Sequence, residues 1–352
     1  MTLGERSRIR PWKSRIVLLH SARLFRVCGK HRKPNLRAIT FALIATSAAL
    51  TFTGCGAAEQ TADNTGGADS ETSTAGDDTG TPEPVYGLST QTLQHDEETR
   101  EYLLYVPESY EPTTPVPVMM SFHGFGGSAN EQLQMVDMRA LADAEGFILL
   151  YPQGTLLEGY SHWNTYLPGE DNKSEADDFG FVDAMLDVIS AGYAIDTGRV
   201  YATGFSNGGD FTYTLACILS DRITGIAPVS GLMWMGTQRD CNLTHPTPMI
   251  SFHGTADGDR PYEGWDGYLL SIEASHQYLA AHNNITASPA MTPLSDSGFT
   301  IERYDYEGGD AAITHYKVLN GAHTWFSFSD DGVETSSLIW RFLSQYDQDG
   351  LR

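Results

Sequence analysis

Three short strings carry residue types that together could perform acyl transfer. Ser206 sits in Gly204-Phe205-Ser206-Asn207-Gly208-Gly209, Asp257 closes His253-Gly254-Thr255-Ala256-Asp257, and His323 lies within Gly321-Ala322-His323-Thr324-Trp325. A serine hydroxyl attacks a carbonyl only when an imidazole removes its proton, and that imidazole needs a carboxylate to fix its tautomer and orientation. The tetrahedral oxyanion in turn needs fixed donors. The backbone N–H of Asn207, next to the serine, is one candidate. Gly124 or Phe125 would supply the other, with Phe125 preferred because it follows the His123-Gly124 pair. A bare Gly-x-Ser-x-Gly match is weak in a chain with 35 glycines. Asp259 competes with Asp257 for the acid's place, which would leave Asp257 as a turn former.

For these side chains to meet, Ser206 must occupy a tight turn between a strand and a helix, with small residues two places away. The pattern supplies both elements: an apolar strand over 199–205 and a helix carrying Leu215, Ala216 and Ile218. Further strands are expected over 101–107, 116–122, 147–151, 223–229, 248–252 and 314–319. Helices are expected over 130–145, 179–189, 271–281 and 334–346. Such alternation implies an α/β domain, a mostly parallel sheet with helices on both faces. Asp257 and His323 then fall on loops at strand C-terminal ends, where open α/β sheets bind ligands. The short span from 231 to 247 has no room for a large lid, so the cleft should be open at the surface.

Five strings extend the pattern along the chain: Ser121-Phe122-His123-Gly124, Asp177-Asp178-Phe179-Gly180-Phe181-Val182, Arg199-Val200-Tyr201-Ala202-Thr203 running into the Ser206 motif, and the Asp257 and His323 strings. In this order they resemble the polyhydroxybutyrate depolymerase and feruloyl esterase family of α/β-hydrolases, over about residues 86–345. The resemblance implies an α/β-hydrolase fold and a carboxylesterase without cofactor, often secreted. Its substrates would be polyhydroxyalkanoates, cinnamoyl or acetyl esters of plant polysaccharide, or related aryl esters. It also implies a Trp-Asn pair, here Trp163-Asn164. One departure is Gly258-Asp259-Arg260-Pro261-Tyr262, where the family commonly has an apolar residue before Pro-Tyr. Trp163, Trp234, Trp265 and Trp325 are candidates for aromatic substrate contacts, and Trp163 and Trp234 are the two put forward. His123 and His253 are expected to fix loops. Asp177 and Asp178 suit a helix N-terminus better than a metal, and no metal is expected.

The first 54 residues belong to a different kind of sequence. Eleven of the 22 basic residues and one of the 45 acidic ones precede residue 55, followed by an apolar run ending at Thr53-Gly54-Cys55. This describes a signal segment over 1–54 of the lipoprotein type, with Cys55 as the lipid attachment site; an uncleaved membrane anchor is the alternative. Residues 55–85 are acidic, small and polar, as expected of a disordered tether, which leaves 86–350 as the catalytic domain. Loss of residues 1–54 would move the formal net charge from −23 to near −33, which argues against nucleic acid as a partner. The expected partners are an ester substrate, polymeric or oligomeric, and a membrane reached through the lipid alone. Two cysteines remain in the body, Cys217 and Cys241, and an exported chain permits them to pair.

Two other functions compete. A serine peptidase of the prolyl-oligopeptidase kind shares the elbow and a similar acid loop, but residues 56–100 cannot hold its β-propeller. A non-catalytic surface lipoprotein would have no need of Ser, Asp and His at all three stations.

Overall fold

The computed structural model describes residues 84–166 and 172–352. The expected signal segment, Cys55 and all but the last residues of the tether lie outside the described residues. Among the described residues no helix is long and apolar enough to cross a membrane.

A hairpin of β1 (Gly87–His95) and β2 (Glu98–Val106) leads into β3 (Val116–Phe122). Helices α1 (Ala129–Met135) and α2 (Arg139–Glu145) precede β4 (Ile148–Pro152), and a small hairpin, β5 (Thr155–Leu157) with β6 (Tyr160–His162), follows. Next come α3 (Asp178–Gly192), β7 (Ile195–Phe205), α4 (Asn207–Ile218), β8 (Gly225–Val229), α5 (Met235–Asp240) and β9 (Met249–Gly254). The series continues with α6 (Ile272–His282), β10 (Ala290–Asp296), β11 (Phe299–Tyr306), β12 (Ile313–Leu319) and α7 (Thr335–Leu343).

Ten strands form one sheet in the order β1-β2-β4-β3-β7-β8-β9-β12-β11-β10. The six central strands, β4 to β12, run parallel, and antiparallel strands flank them on both sides. Both faces are buried, which is why β4 and β8 are apolar throughout and β3 nearly so. Along β3, Val118, Met120 and Phe122 join one core while Met119 joins the other; along β4, Ile148 and Leu150 face opposite to Leu149 and Tyr151. This is the α/β-hydrolase architecture expected from the sequence, and the link from β8 to β9 holds only the six-residue helix α5 and loops.

Three elements differ from expectation. The helix expected over 130–145 is broken into α1 and α2. The buried Tyr151 hydroxyl serves the backbone at the break, donating to the Val136 carbonyl at 2.7 Å and accepting from the Met138 N–H at 3.3 Å. Strand β1 was not anticipated, because its buried and exposed residues alternate over a largely polar string. The hairpin β10–β11 was also missed: Pro293 argues against a strand interior, yet β10 is the outermost strand, where a missing N–H costs nothing.

Cys217, buried on α4, is disulfide-bonded to Cys241, the residue that ends α5, with 4.5 Å between their Cα atoms. The bond ties the helix after Ser206 to the approach to β9.

Candidate active site

Strand β7 enters the sheet's centre and turns into α4 at Ser206, whose φ of 55° and ψ of −117° are unusual for a residue with a side chain. The two backbones approach so closely that a Cβ on Gly204 would fall inside the Gly208 carbonyl, and one on Gly208 inside the Phe122 carbonyl. Glycine at these places lets the strand and helix meet at the angle that lifts Ser206 above the sheet. The Ser206 N–H is held by the Val229 carbonyl at 3.0 Å.

The Ser206 hydroxyl donates to His323 Nε2 at 2.8 Å, and His323 Nδ1 donates to Asp257 Oδ2 at 2.7 Å. His323 follows β12 and Asp257 follows β9, so the C-terminal ends of three parallel strands of one sheet bring the three groups to one edge. The other oxygen of Asp257, Oδ1, accepts the backbone N–H groups of Asp259 at 2.9 Å and Arg260 at 2.7 Å. Burial pushes the Asp257 carboxyl up, but the hydrogen bond from His323 and those from the Arg260 backbone outweigh it and hold the group below the usual range. Asp259 is exposed and serves only through its backbone here, so the structure separates the two competing aspartates.

The acid loop has its own supports. His253 Nε2 donates to the Arg260 carbonyl at 2.7 Å and is kept neutral by burial. The Arg260 guanidinium grips Asp210 on α4, with Nε at 3.0 and 3.1 Å and a second nitrogen at 2.8 Å from the carboxylate. Asp210 is fully buried and also accepts the Leu232 N–H at 2.8 Å.

On the other side of the serine, the loop after β3 passes directly against it: a Cβ on Gly124 would lie 3.3 Å from Ser206 Cβ. His123 fixes this loop, donating from Nδ1 to the Gly124 carbonyl at 2.8 Å and accepting the Gly154 N–H on Nε2 at 3.0 Å. Burial lowers its pKa to about 4, with the Gly124 bond opposing. Asn207 is the first residue of α4, where a backbone N–H has no partner within the helix. Asn207 follows Ser206 directly, and Gly124 packs against the Ser206 side chain from the other loop.

The Asn207 side chain does something the sequence did not suggest. Its amide clasps the backbone of Trp163, accepting from N–H at 2.8 Å and donating to the carbonyl at 3.1 Å. Trp163 itself is fully buried, stacked against Phe211 at 5.2 Å, with its indole N–H on the His123 carbonyl at 3.0 Å. This corrects the expectation that Trp163 contacts substrate: it is a strut joining the Ser206 turn to the Gly124 loop. Lys173 donates to the same Trp163 carbonyl at 3.1 Å; burial pushes its ammonium down to about 8, with Asp210 opposing. Trp234 keeps partial exposure, with Tyr166 edge-on at 5.6 Å and the Lys173 ammonium 5.8 Å from its ring.

Other exposed aromatics stand nearer the surface: Trp265, one of the tryptophans expected as a substrate contact, and Phe125, Tyr160 and Tyr268, whose rings were not singled out. Phe125 is half exposed and stacks on the exposed Tyr160 at 5.8 Å, while Trp265 and Tyr268 are exposed in the loop after the Asp257 turn. Nothing in their spacing distinguishes them from core aromatics. Asp177 caps α3 through the Gly180 N–H at 3.0 Å, and Asp178 is buried against Arg100 at 2.8 Å, both in the helix-start positions expected. The fold also brings His95 and Asp96 to Asp177, with potential ligand atoms within 4.8 Å of one another, a gathering of distant residues that adjacency in sequence does not reveal.

A strained serine at a strand-to-helix turn of a mostly parallel sheet, with His and Asp on the following strand-end loops, defines the α/β-hydrolase class. Comparison with known proteins agrees. The family model described as esterase PHB depolymerase matches residues 100–239. The bifunctional acetylxylan esterase/xylanase XynS20E of Neocallimastix patriciarum is 29% identical over 251 residues, 71% of this chain and 34% of that protein. The putative esterase NocK of Nocardia uniformis subsp. tsuyamanensis is 34% identical over 169 residues, 47% of each chain. The chain thus spans less than half the length of these two relatives. It spans 84% of the probable feruloyl esterase C of Aspergillus terreus, at 24% identity over 250 residues. Among solved structures, the acetyl xylan esterase from Aspergillus awamori superposes with a TM-score of 0.52 at 13% identity, over 73% of this chain and 99% of that one, a likeness of fold. Over residues 100–239 the chain is thus similar to the polyhydroxybutyrate depolymerase family of esterases, and its fold is that of the α/β-hydrolases.

Proposed function

We propose that this protein is a serine carboxylesterase that forms an acyl-enzyme on Ser206. The observation that carries the proposal is the continuous relay from Ser206 Oγ through His323 to Asp257, at 2.8 and 2.7 Å. His323 takes the hydroxyl proton as Oγ attacks the ester carbonyl, and returns it to the leaving alkoxide; water then repeats the sequence on the acyl-enzyme. Asp257 holds the Nδ1-H tautomer and stabilises the imidazolium. The N–H groups of Asn207 and of Phe125 or Gly124 receive the oxyanion, in a loop whose position His123 and Trp163 secure. This chemistry needs only the chain's own residues.

The proposed substrates are oligomeric, polymeric or aromatic esters. The short β8–β9 link leaves room for an open cleft, and the exposed stack of Tyr160 on Phe125, which lies in the loop next to the serine, offers flat apolar faces to an acyl group together with the partly exposed Trp234. The names of the relatives, feruloyl and acetylxylan esterases, favour the same class. Export, cleavage before Cys55 and lipidation of that cysteine complete the proposal, with the acidic 55–85 segment as tether and 86–350 as the catalytic domain.

The test is Ser206→Ala in the mature protein. Labelling by a fluorophosphonate should vanish, and turnover of a short-chain chromogenic ester should fall by about four to six orders of magnitude. Retained labelling would overturn the assignment. A panel of hydroxybutyrate oligomers, methyl ferulate, acetylated xylan and a long-chain triglyceride then locates the substrate, and a clear preference for the triglyceride would refute the open-cleft account.

A further inference from the structure

We infer that Arg260 and Asp210 form a clamp that sets the position of Asp257, making Arg260 a positioning residue for the catalytic acid. Arg260 is engaged at three points. Its backbone N–H donates to Asp257 Oδ1 at 2.7 Å, its carbonyl accepts from His253 Nε2 at 2.7 Å, and its guanidinium forks onto Asp210 at 2.8 to 3.1 Å. Asp210 lies four residues after Ser206, on the first turn of α4. The residue that holds the acid is therefore bolted to the helix that holds the nucleophile.

The acid loop needs such a bolt. Residues 258–261 form no helix or strand, and the contacts to Asp257 Oδ1 come from two successive backbone N–H groups of that loop. A backbone donor is only as well placed as its segment, and Oδ2 must point at His323 for the imidazole to keep its tautomer. Asp210 is itself fixed from a third element by the Leu232 N–H at 2.8 Å. With no exposure at Asp210, the pair sits in a low-dielectric setting where a forked, charge-assisted contact has one geometry. Its worth as net stability is small, because burying two charges costs about what their attraction returns. What the pair confers is register.

The consequence concerns catalysis only if Ser206 is the nucleophile, as proposed above. If that proposal fails, the unmodified enzyme neither labels with fluorophosphonate nor turns over ester. If only the clamp fails, the unmodified enzyme does both and the variants match it. The experiment compares kcat, KM and melting temperature for Arg260→Leu, Asp210→Leu, the double Leu variant and Arg260→Lys. Each single Leu change leaves one buried charge alone, so both should lower the melting temperature and cut kcat by roughly 10- to 100-fold, with KM changing less than about twofold. The double variant removes both charges and should recover most of the melting temperature while kcat stays low. Arg260→Lys keeps the charge, loses the fork, and should fall between the parent and Arg260→Leu in kcat. A double variant with recovered stability and parental kcat would show a purely structural pair. Parental kcat in Arg260→Lys, whatever the double variant's stability, would likewise overturn the positioning role, as would an effect confined to KM.

Discussion

The two sides of Ser206 are held by different physics. On the elbow side the restraint is steric: Gly204 and Gly208 leave no room for a Cβ, and the serine's φ of 55° follows from the tight passage of β7 into α4. On the acid side the restraint is a set of side-chain hydrogen bonds among Asp257, His253, Arg260 and Asp210. A steric restraint acts the same at any pH and fails only when atoms are added. A hydrogen-bonded one fails when a donor, an acceptor or a proton changes, and it can fail by degrees.

The sharpest test of this difference lies on the acid side. Asp257→Asn keeps the shape of the loop but lets the carboxamide stabilise the wrong imidazole tautomer, so kcat should drop about 10⁴-fold. Asp259→Asn alters an exposed side chain whose backbone N–H, the part that touches Asp257, is untouched, and kcat should stay within about twofold. Steady-state kinetics on one short-chain ester decides it, and the reverse ranking would move the acid's role to Asp259.

On the elbow side, Gly208→Ala should act on folding before chemistry. The added methyl would overlap the Phe122 and His123 carbonyls, backbone atoms of a central strand that cannot move aside. A cost of roughly 3 kcal/mol is expected, at the upper end for overpacking, with loss of labelling in whatever folds. Melting temperature and fluorophosphonate labelling measured together would show it; a stable, fully active Gly208→Ala protein would mean that the turn is held by something other than contact.

These two kinds of restraint also explain what the sequence made legible. Steric needs leave marks in residue type: Gly204, Gly208 and Ser206 announce the turn, and the largely apolar β3 and β4 announce strands buried on both faces. Asp257 and His323 were found because loops at strand ends must supply a carboxylate and an imidazole in that chain order. Side-chain partnerships leave no such mark. Nothing near Asn207 in sequence shows that its amide grips Trp163, 44 residues earlier. A tryptophan beside a functional loop therefore read as a substrate contact when it is a buried strut. The Asp210–Arg260 pair spans 50 residues, and its only trace was a charged residue at Arg260 where an apolar one was expected. At the break in the helix expected over 130–145 the backbone is served by the Tyr151 hydroxyl and the Asp137 carboxylate, partnerships that apolar periodicity cannot register.

Acid should separate the two sides by degrees. His123 and His276 have pKa values lowered by burial to about 4 and about 3, and His253 and His315 are lowered for the same reason. Each is neutral in the folded protein and titrates near 6.5 when unfolded, so the unfolded state binds more protons as pH falls below 6.5. Stability is therefore full above 6.5 and declines down to about 4 for His123 and about 3 for His276. The loss is about 1.4 kcal/mol per pH unit for each histidine. Asp257, whose folded pKa is depressed, contributes stability that is full above about 3.8 and is lost as pH falls from there to the lower folded value, because the unfolded chain takes up that proton first. Melting temperature should thus decline steadily from pH 6.5 to 4, and His276→Gln should lessen the slope. A melting temperature independent of pH over that range would contradict the buried, neutral state of these rings.

The smallest expected effect separates the two roles that an aromatic residue can have beside this serine. Phe125 lends its backbone to the loop against Ser206, but its ring is half exposed and, among the described residues, stacks on Tyr160. Phe125→Ala keeps the N–H that would receive the oxyanion while removing the ring, and Tyr160→Ala removes the other half of the platform from a separate hairpin. An aromatic stack contributes about 0.5–1.5 kcal/mol, so each change should reduce kcat/KM for methyl ferulate by roughly three- to tenfold. Methyl acetate, which has no ring to stack, should be hydrolysed nearly as before. Trp163→Ala, by contrast, takes a fully buried side chain from between two loops and should lower activity on both esters, together with the melting temperature. If Phe125→Ala depressed both esters equally, the ring would be bracing the loop as Trp163 does, and the exposed stack would have no part in choosing the acyl group.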